Sequence, residues 1–295
     1  MMLFSKNLIL QNDFIRLKQC RHGLMLYNCN DTIIGKSLEH YGEWCEKELE
    51  LLENFITMGD VVVDVGASIG THTLFFAEQV KPSGKVIAFE PQRLSFQMLC
   101  ANVALNALKI VECHQQAIGK AKGEVIVPVI PPETQINYGS ISLLNQKNGE
   151  RVPCTSLDGL NLPRCELLKI DVEGYESLVL EGASQTIQRL QPIIFVENNQ
   201  EETSGEIIRL LLNQGYRCWW HFCPYFNEQN FFGNKKNHFS DHLEANMLCF
   251  PDGHSAMKEF DFHGLVPVEG PADSCWKAEL RRRNSEVRIR NRGSL

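Results

Sequence analysis

The chain lacks any apolar run approaching the roughly 18 residues that span a bilayer, which excludes a membrane helix. Residues Met1 to Gln11 hold neither a long apolar core nor a small-residue cleavage site, so no secretory signal is read there. Positive charge is in short supply. The 29 Lys and Arg are outnumbered by 36 Asp and Glu, and the net charge of −7 disfavours a nucleic-acid binder, which needs a basic face. The 11 cysteines are an odd number without paired spacing, which predicts free thiols in a reducing cytosol. No second ligand pair stands at zinc spacing from Cys218, His221 and Cys223, so these read as buried structural residues. No internal repeat is visible. What remains is a cytoplasmic globular chain of ordinary composition, 43% hydrophobic and 22% charged, whose 295 residues allow one large domain or two small ones.

Periodicity then sets the architecture. Residues 8–35 mix short apolar runs with Asn-Asp and His-Gly breaks and predict a small hairpin region. Trp44, Leu49, Leu51, Leu52 and Phe55 recur at helical spacing. From Val61 the pattern becomes strand, helix, strand, helix, strand: Val61–Val63, Ile69–Val80, Lys85–Glu90, Gln92–Asn106 and Ile110–Cys113. A continuous β-branched run such as Val61-Val62-Val63 suits a parallel strand covered on both faces. The alternation predicts an α/β fold with a Rossmann-like, mostly parallel doubly wound sheet. Residues 118–156 interrupt it as a β insertion, with short strands expected at 125–130, 136–144 and 151–155. Strands follow at Leu167–Asp171, Ile193–Val196, Tyr216–His221 and Ala245–Phe250. Helices are expected at Tyr175–Leu190, interrupted near Gly182, and at Gly205–Asn213. The domain reading is therefore an N-terminal hairpin and helix extension over 1–59, the main domain over 60–251, and a tail over 252–295. The tail is expected to be partly disordered, because 281–292 holds six arginines and no apolar face.

The chemistry concentrates in two motifs. Asp64-Val65-Gly66-Ala67-Ser68-Ile69-Gly70 follows a buried strand and opens a helix, where glycines let a ligand approach the backbone and free N–H groups are on offer. Glu90 ends the next strand, where a carboxylate meets the ribose hydroxyls of a nucleoside cofactor. The spacing is Asp-x-Gly-x-x-x-Gly rather than Gly-x-Gly-x-x-Gly. Asp64 would repel a pyrophosphate but suits the amino group of S-adenosylmethionine, so that cofactor is preferred over NAD. The second motif, Lys169-Ile170-Asp171-Val172-Glu173-Gly174-Tyr175-Glu176, ends the fourth core strand. Ligands bind outside the carboxyl ends of such strands, so Asp171, Glu173 and Glu197 should face one crevice with Asp64 and Glu90. Methyl transfer to a hydroxyl needs a base, or a cation such as Mg²⁺ to acidify the oxygen, and clustered carboxylates can supply either. Glu173 and Glu176 can equally be read as acids that open a helix. The Asn/Asp-Pro-Pro-Tyr/Phe motif common in amino-methylating enzymes is missing, which favours oxygen as the acceptor.

Taken together, Tyr41-Gly-Glu-Trp44, Asp64 to Gly70, Ala88-Phe-Glu-Pro91, Asn102 with Asn106, Lys169-Ile-Asp-Val-Glu-Gly174 and Glu181-Gly-Ala183 resemble the FkbM-type methyltransferases, over about residues 20 to 251. The resemblance implies a class I methyltransferase fold, S-adenosylmethionine, and methylation of a hydroxyl on a sugar, glycolipid or polyketide. It would place Asp64, Gly66 and Gly70 at the methionine part, Glu90 at the ribose, and Gln116-Ala117 near the adenine. Ala67 and Ser68 belong to the same loop. The family often carries Glu-x-His after the fifth strand. Here the segment is Glu197-Asn198-Asn199, which turns attention to Asp171, Glu173 or His221, His238 and His242 as the base. The competing functions are an NAD-dependent oxidoreductase and a non-catalytic binding module on the same fold.

Overall fold

The computed structural model describes residues 7–275 together with 277 and 278, so the Arg-rich segment 281–292 lies outside the described residues. The chain opens with an antiparallel sheet of β1 (Leu8–Gln11), β2 (Ile15–Cys20) and β3 (Gly23–Asn28), followed by helices α1 (Ile34–Tyr41) and α2 (Glu46–Leu52). The central sheet then starts with β4 (Val61–Val65), α3 (Thr71–Val80), β5 (Lys85–Phe89), α4 (Arg93–Leu105) and β6 (Val111–His114). The insertion forms its own sheet from β7 (Ala117–Ile118), β8 (Gly123–Val127) and β9 (Glu150–Thr155). The main sheet resumes with β10 (Leu167–Ile170), helices α5 (Glu176–Glu181) and α6 (Ser184–Leu190), β11 (Ile193–Glu197), α7 (Glu201–Asn213), β12 (Tyr216–Pro224) and β13 (Leu243–Pro251). A short α8 (Ala256–Glu259) and β14 (Val266–Pro267) complete the described elements.

The strand order is β14-β12-β13-β11-β10-β4-β5-β6. From β6 through β11 every pairing is parallel, while β13 runs antiparallel to both β11 and β12. A parallel sheet that reverses its winding between β4 and β10, and whose last long strand slots in antiparallel, is the class I methyltransferase fold. The β-branched strands bury both faces. Val63 and Val65 enter one core cluster with Ile170, Val196 and Ile208, whereas Val62 enters the other with Phe76, Val86 and Phe250. The reversal between β4 and β10 opens a crevice at the carboxyl ends of these strands, where open α/β sheets hold ligands.

One expectation, the strand over 136–144, is corrected, and the structure adds detail on either side of it. Residues 34–41 are helical, with the apolar stripe Ile34, Leu38 and Tyr41 buried at i, i+4 and i+7 spacing. Residues 136–144 form a loop in place of a strand; one bridge, Ile136 to Asp31, ties it to the N-terminal segment. The stretch after 251 packs on the domain as far as it is described. β14 pairs with β12, and Asp273 accepts a hydrogen bond from Trp220 Nε1 at 3.2 Å. Among the described residues no helix is long and apolar enough to cross a membrane.

Candidate active site

The loop after β4 sorts its residues into two groups. Gly66 takes φ +83 and Gly70 φ +93, conformations that side chains other than glycine rarely adopt. At Gly66 the constraint is the protein itself, since a Cβ there would stand 1.7 Å from the Asp171 carbonyl oxygen. The expected close approach of a ligand is thus first a close approach of β4 to β10. Ala67 turns inward and packs with Ala88 and Leu99, so its side chain belongs to the core. Ser68, at φ +50, and Gly66 face the cleft.

Asp64 is fully buried and does not line the cleft. One carboxylate oxygen accepts from Thr73 Oγ1 at 2.6 Å, and the other stands 3.5 Å from Lys169 Nζ. The parallel register sets Lys169 beside Asp64. The ammonium that Asp64 holds in this structure is therefore that of Lys169. Lys169 also reaches Asp171 Oδ2 at 3.1 Å. Burial alone would lower its pKa, but Asp171 and Asp64 outweigh burial and the net shift is upward.

Glu90 lies where expected. It is buried, lines the cleft, and accepts the Ser68 N–H at 2.9 Å and the Gln92 N–H at 2.7 Å. Burial chiefly, then Asp64 and Asp171, raise its pKa to about 7 against the lowering effect of the two amides. Gln116 and Ala117 line a smaller recess with Phe89, Ile118, Leu143 and Tyr175. That recess shares Gly66, Pro91, Leu143 and Val172 with the main cleft, so the two adjoin.

After β10 the chain makes a tight turn through Glu173 at φ +52 and Gly174 at φ +90. The carboxylate of Glu176 holds this turn, accepting from the Val172 and Gly174 amides at 3.1 Å each. The two acids thus divide their work: Glu176 fixes the turn, and Glu173 lines the cleft with Asp171. Burial, with Asp171 and Glu244 as like-charged neighbours, raises Glu173 to about 9. Glu197, from the end of β11, is buried beside them and pushed well above the usual carboxylate range by burial and then by Asp171 and Glu173.

Two further acids escaped the sequence reading. Glu244 sits at the start of β13 and is raised to about 8 by burial and then Glu48. Glu48 projects from the buried face of α2, is likewise raised to about 8, and meets His72 Nε2 at 3.0 Å. Burial lowers His72 to about 4. The available signal was spacing: Glu48 lies four residues from both Trp44 and Leu52, on the stripe that faces the core. The loop residues Asn137, Tyr138, Gly139, Ile141 and Leu143 also close over the cleft, where a strand had been expected.

The cleft has a cavity volume of about 80 Å³ and opens to solvent. Six carboxyl groups line it, from Glu48, Glu90, Asp171, Glu173, Glu197 and Glu244, and among the described residues no Lys or Arg does. The histidines do not line it. His221 is lowered to about 4 by burial and faces Phe195, His238 stacks on His40 with 3.9 Å between ring centroids, and His242 Nδ1 is bound to the Phe239 carbonyl. The other motif residues are structural. Asn102 bonds both backbone groups of Leu26 and the Ile69 carbonyl, and Asn106 bonds both backbone groups of Leu24, docking β3 on α4. In the Tyr41-to-Trp44 motif, Glu43 accepts from Arg21, Asn227 and the Phe231 N–H.

Residues 64–218, just over half of the chain, match the methyltransferase FkbM domain. The chain is 27% identical over 143 residues to Methyltransferase 1 of Beauveria bassiana, covering 41% of this chain and 57% of that protein. It is 26% identical over 157 residues to the hexuronic acid methyltransferase AglP of Haloferax volcanii, covering 52% of this chain and 61% of that protein. It thus spans about three fifths of the length of these curated relatives. A solved methyltransferase FkbM from Methylobacillus flagellatus KT is similar at 16% identity and a TM-score of 0.41, covering 65% of this chain and 44% of that one.

Proposed function

The chain belongs to the FkbM methyltransferase family, and on that footing we propose that it is an S-adenosylmethionine-dependent O-methyltransferase. The observation that carries the reading is the charge of the cleft. Six carboxyl groups and, among the described residues, no Lys or Arg line it; they accept hydrogen bonds from an ammonium and from hydroxyls, give up protons as a sulfonium arrives, and leave a pyrophosphate without a cationic partner. An NAD-dependent oxidoreductase therefore fits poorly. Glu90 would accept from the ribose hydroxyls, and the adjoining recess of Gln116, Ala117, Phe89 and Tyr175 would take the adenine. Gly66 and Ser68 would flank the methionine part, while Asp64 acts from behind by holding Lys169. When bound, S-adenosylmethionine supplies an electrophilic methyl carbon and leaves as the neutral thioether.

The protein's own task is the acceptor's proton. An alcohol is a poor nucleophile at neutral pH, so its O–H bond must break as its oxygen bonds to carbon. Of the two expected catalytic carboxylates, Asp171 suits the base: it is partly exposed at the cleft, and Lys169 orients it. Glu173, raised to about 9, carries its own proton at pH 7 in the free site and would serve first as a hydrogen-bond donor to the acceptor. The net charge of −7 and the acidic cleft favour a carbohydrate or other small hydroxyl compound over nucleic acid. The 11 free thiols fit a reducing compartment such as the cytosol.

The test is a screen with radiolabelled S-adenosylmethionine against nucleotide sugars, glycans and lipids, with Asp171→Asn in parallel. Base-stable label in the product and a loss of 10²-fold or more in Asp171→Asn, with S-adenosylhomocysteine binding retained, are expected. Cofactor binding without turnover on any acceptor would favour the non-catalytic module. Label released as an amine methyl would overturn the oxygen assignment.

A further inference from the structure

Asp171, Glu173 and Glu197 each offer one carboxylate oxygen, and the three oxygens lie within 4.8 Å of one another. They come from two strand ends that the sheet sets side by side, since β10 and β11 pair in parallel with Ile170 beside Val196. A hard divalent ion with ligand distances of about 2.1–2.5 Å holds adjacent oxygens roughly 3–3.5 Å apart and opposite ones roughly 4–5 Å apart. Oxygens that all lie within 4.8 Å of one another fall inside that span.

A second observation is independent of the crowding. Glu197 is 4% exposed, and its Oε1 accepts from Asn199 Nδ2 at 2.6 Å. Its Oε2 is fully buried and has no hydrogen-bond donor, yet the residue lines the cleft. The group that shares a hydrogen bond with Glu197 is the carboxyl of Glu244, an acid like itself. Two buried acids held together are costly unless a proton or a cation stands between them. Lys169 does not serve, because it is spent on Asp64 and Asp171. A second group with metal spacing, Cys45, Glu48 and Cys223, differs here, because both oxygens of Glu48 are already taken by His72 and Asn246.

We infer that Asp171, Glu173 and Glu197 form a divalent-cation site at the acceptor end of the cleft, suited by its all-oxygen donors to Mg²⁺ or Mn²⁺. An acceptor hydroxyl that coordinates it loses its proton more readily, through Asp171 to solvent, as the bond to carbon forms. The inference deepens the proposed function by naming what activates the acceptor. Cation binding can be read without cofactor or acceptor, so its failure and the failure of the methyltransferase reading are separate events.

The experiment is electron paramagnetic resonance of free Mn²⁺ titrated into the full chain at pH 7.5, with S-adenosylhomocysteine calorimetry on the same samples. One Mn²⁺ per chain, lost from the free signal at micromolar concentration and displaced by excess Mg²⁺, is expected. Glu197→Gln and Glu173→Gln should each weaken it at least tenfold while melting cooperatively and binding S-adenosylhomocysteine within threefold of wild type. An undiminished Mn²⁺ signal at millimolar metal overturns the site. Wild-type Mn²⁺ affinity in both variants, or in whichever one folds, overturns it as well.

Discussion

Replacing Glu90 by Gln tests the cofactor assignment at its most constrained point. Both carboxylate oxygens already accept a backbone amide, from Ser68 at 2.9 Å and Gln92 at 2.7 Å, while the side chain still lines the cleft. A glutamine has the same shape but one acceptor oxygen. Its NH₂ must therefore confront one of the two amides, leaving a buried donor unpaired at about 1–3 kcal/mol, a melting loss of a few degrees. The same change removes one of two acceptors for the ribose hydroxyls, worth about 1.5–3 kcal/mol as a charge-assisted bond. S-adenosylhomocysteine affinity should fall about 10- to 150-fold by calorimetry at pH 7.5. Glu90→Ala is the poorer probe, because it orphans both amides. The wild type adds a pH signature. Glu90 is raised to about 7, so the ionised acceptor is present above that pH and is lost as pH falls through it. Affinity should level off above pH 7 and decline below, and Glu90→Gln should not show that decline. A folded Glu90→Gln that binds within twofold of wild type would place the ribose elsewhere.

Asn102→Ala should leave two backbone groups of Leu26 and the Ile69 carbonyl without partners, costing about 3 kcal/mol and lowering the melting temperature by about 6–12 °C. Scanning fluorimetry reads it, and a shift under 2 °C would contradict the docking role given to this amide. Gly66→Val should fail to fold as a cooperative unit, as near-UV circular dichroism would show, since its Cβ would meet the Asp171 carbonyl at 1.7 Å. A folded variant that merely loses cofactor would instead support the direct-contact role expected from the motif. His221→Asn should keep turnover within threefold of wild type, because the ring does not line the cleft; a 10²-fold loss would restore histidine as the base.

The sheet was legible because its signals are local. A continuous valine run, a Gly turn and an acid at the next strand end recur with βαβ spacing, and no tertiary contact has to be known to read them. Boundaries of the core elements shifted by a few residues at most, the largest being α7, which begins at Glu201 rather than Gly205. The one misread element and the one unread helix each have a physical cause. Residues 136–144 are apolar enough to resemble a strand, but Ile141 and Leu143 are apolar because they face a cleft, which pattern alone cannot separate from facing a core. The α1 segment is polar on its outer face and is masked in the pattern by Asn30-Asp31 just before it and Gly35 in its first turn.

The cleft was legible only where its lining coincides with strand ends. Glu90, Asp171 and Glu173 stand at motif positions, so the motif located them. Glu48 and Glu244 arrive from a helix before the sheet and from the antiparallel strand, 196 residues apart in sequence, and only packing brings them to one cavity. Asp64 shows the converse. Its motif position was read as a contact to the cofactor, yet the parallel register places Lys169 beside it and supplies the cation internally. The consequence is an asymmetry that sequence could not display. One buried Lys serves the two acids at the floor, and the remaining carboxylates of the cleft, crowded against each other, are left for whatever positive charge the reaction brings.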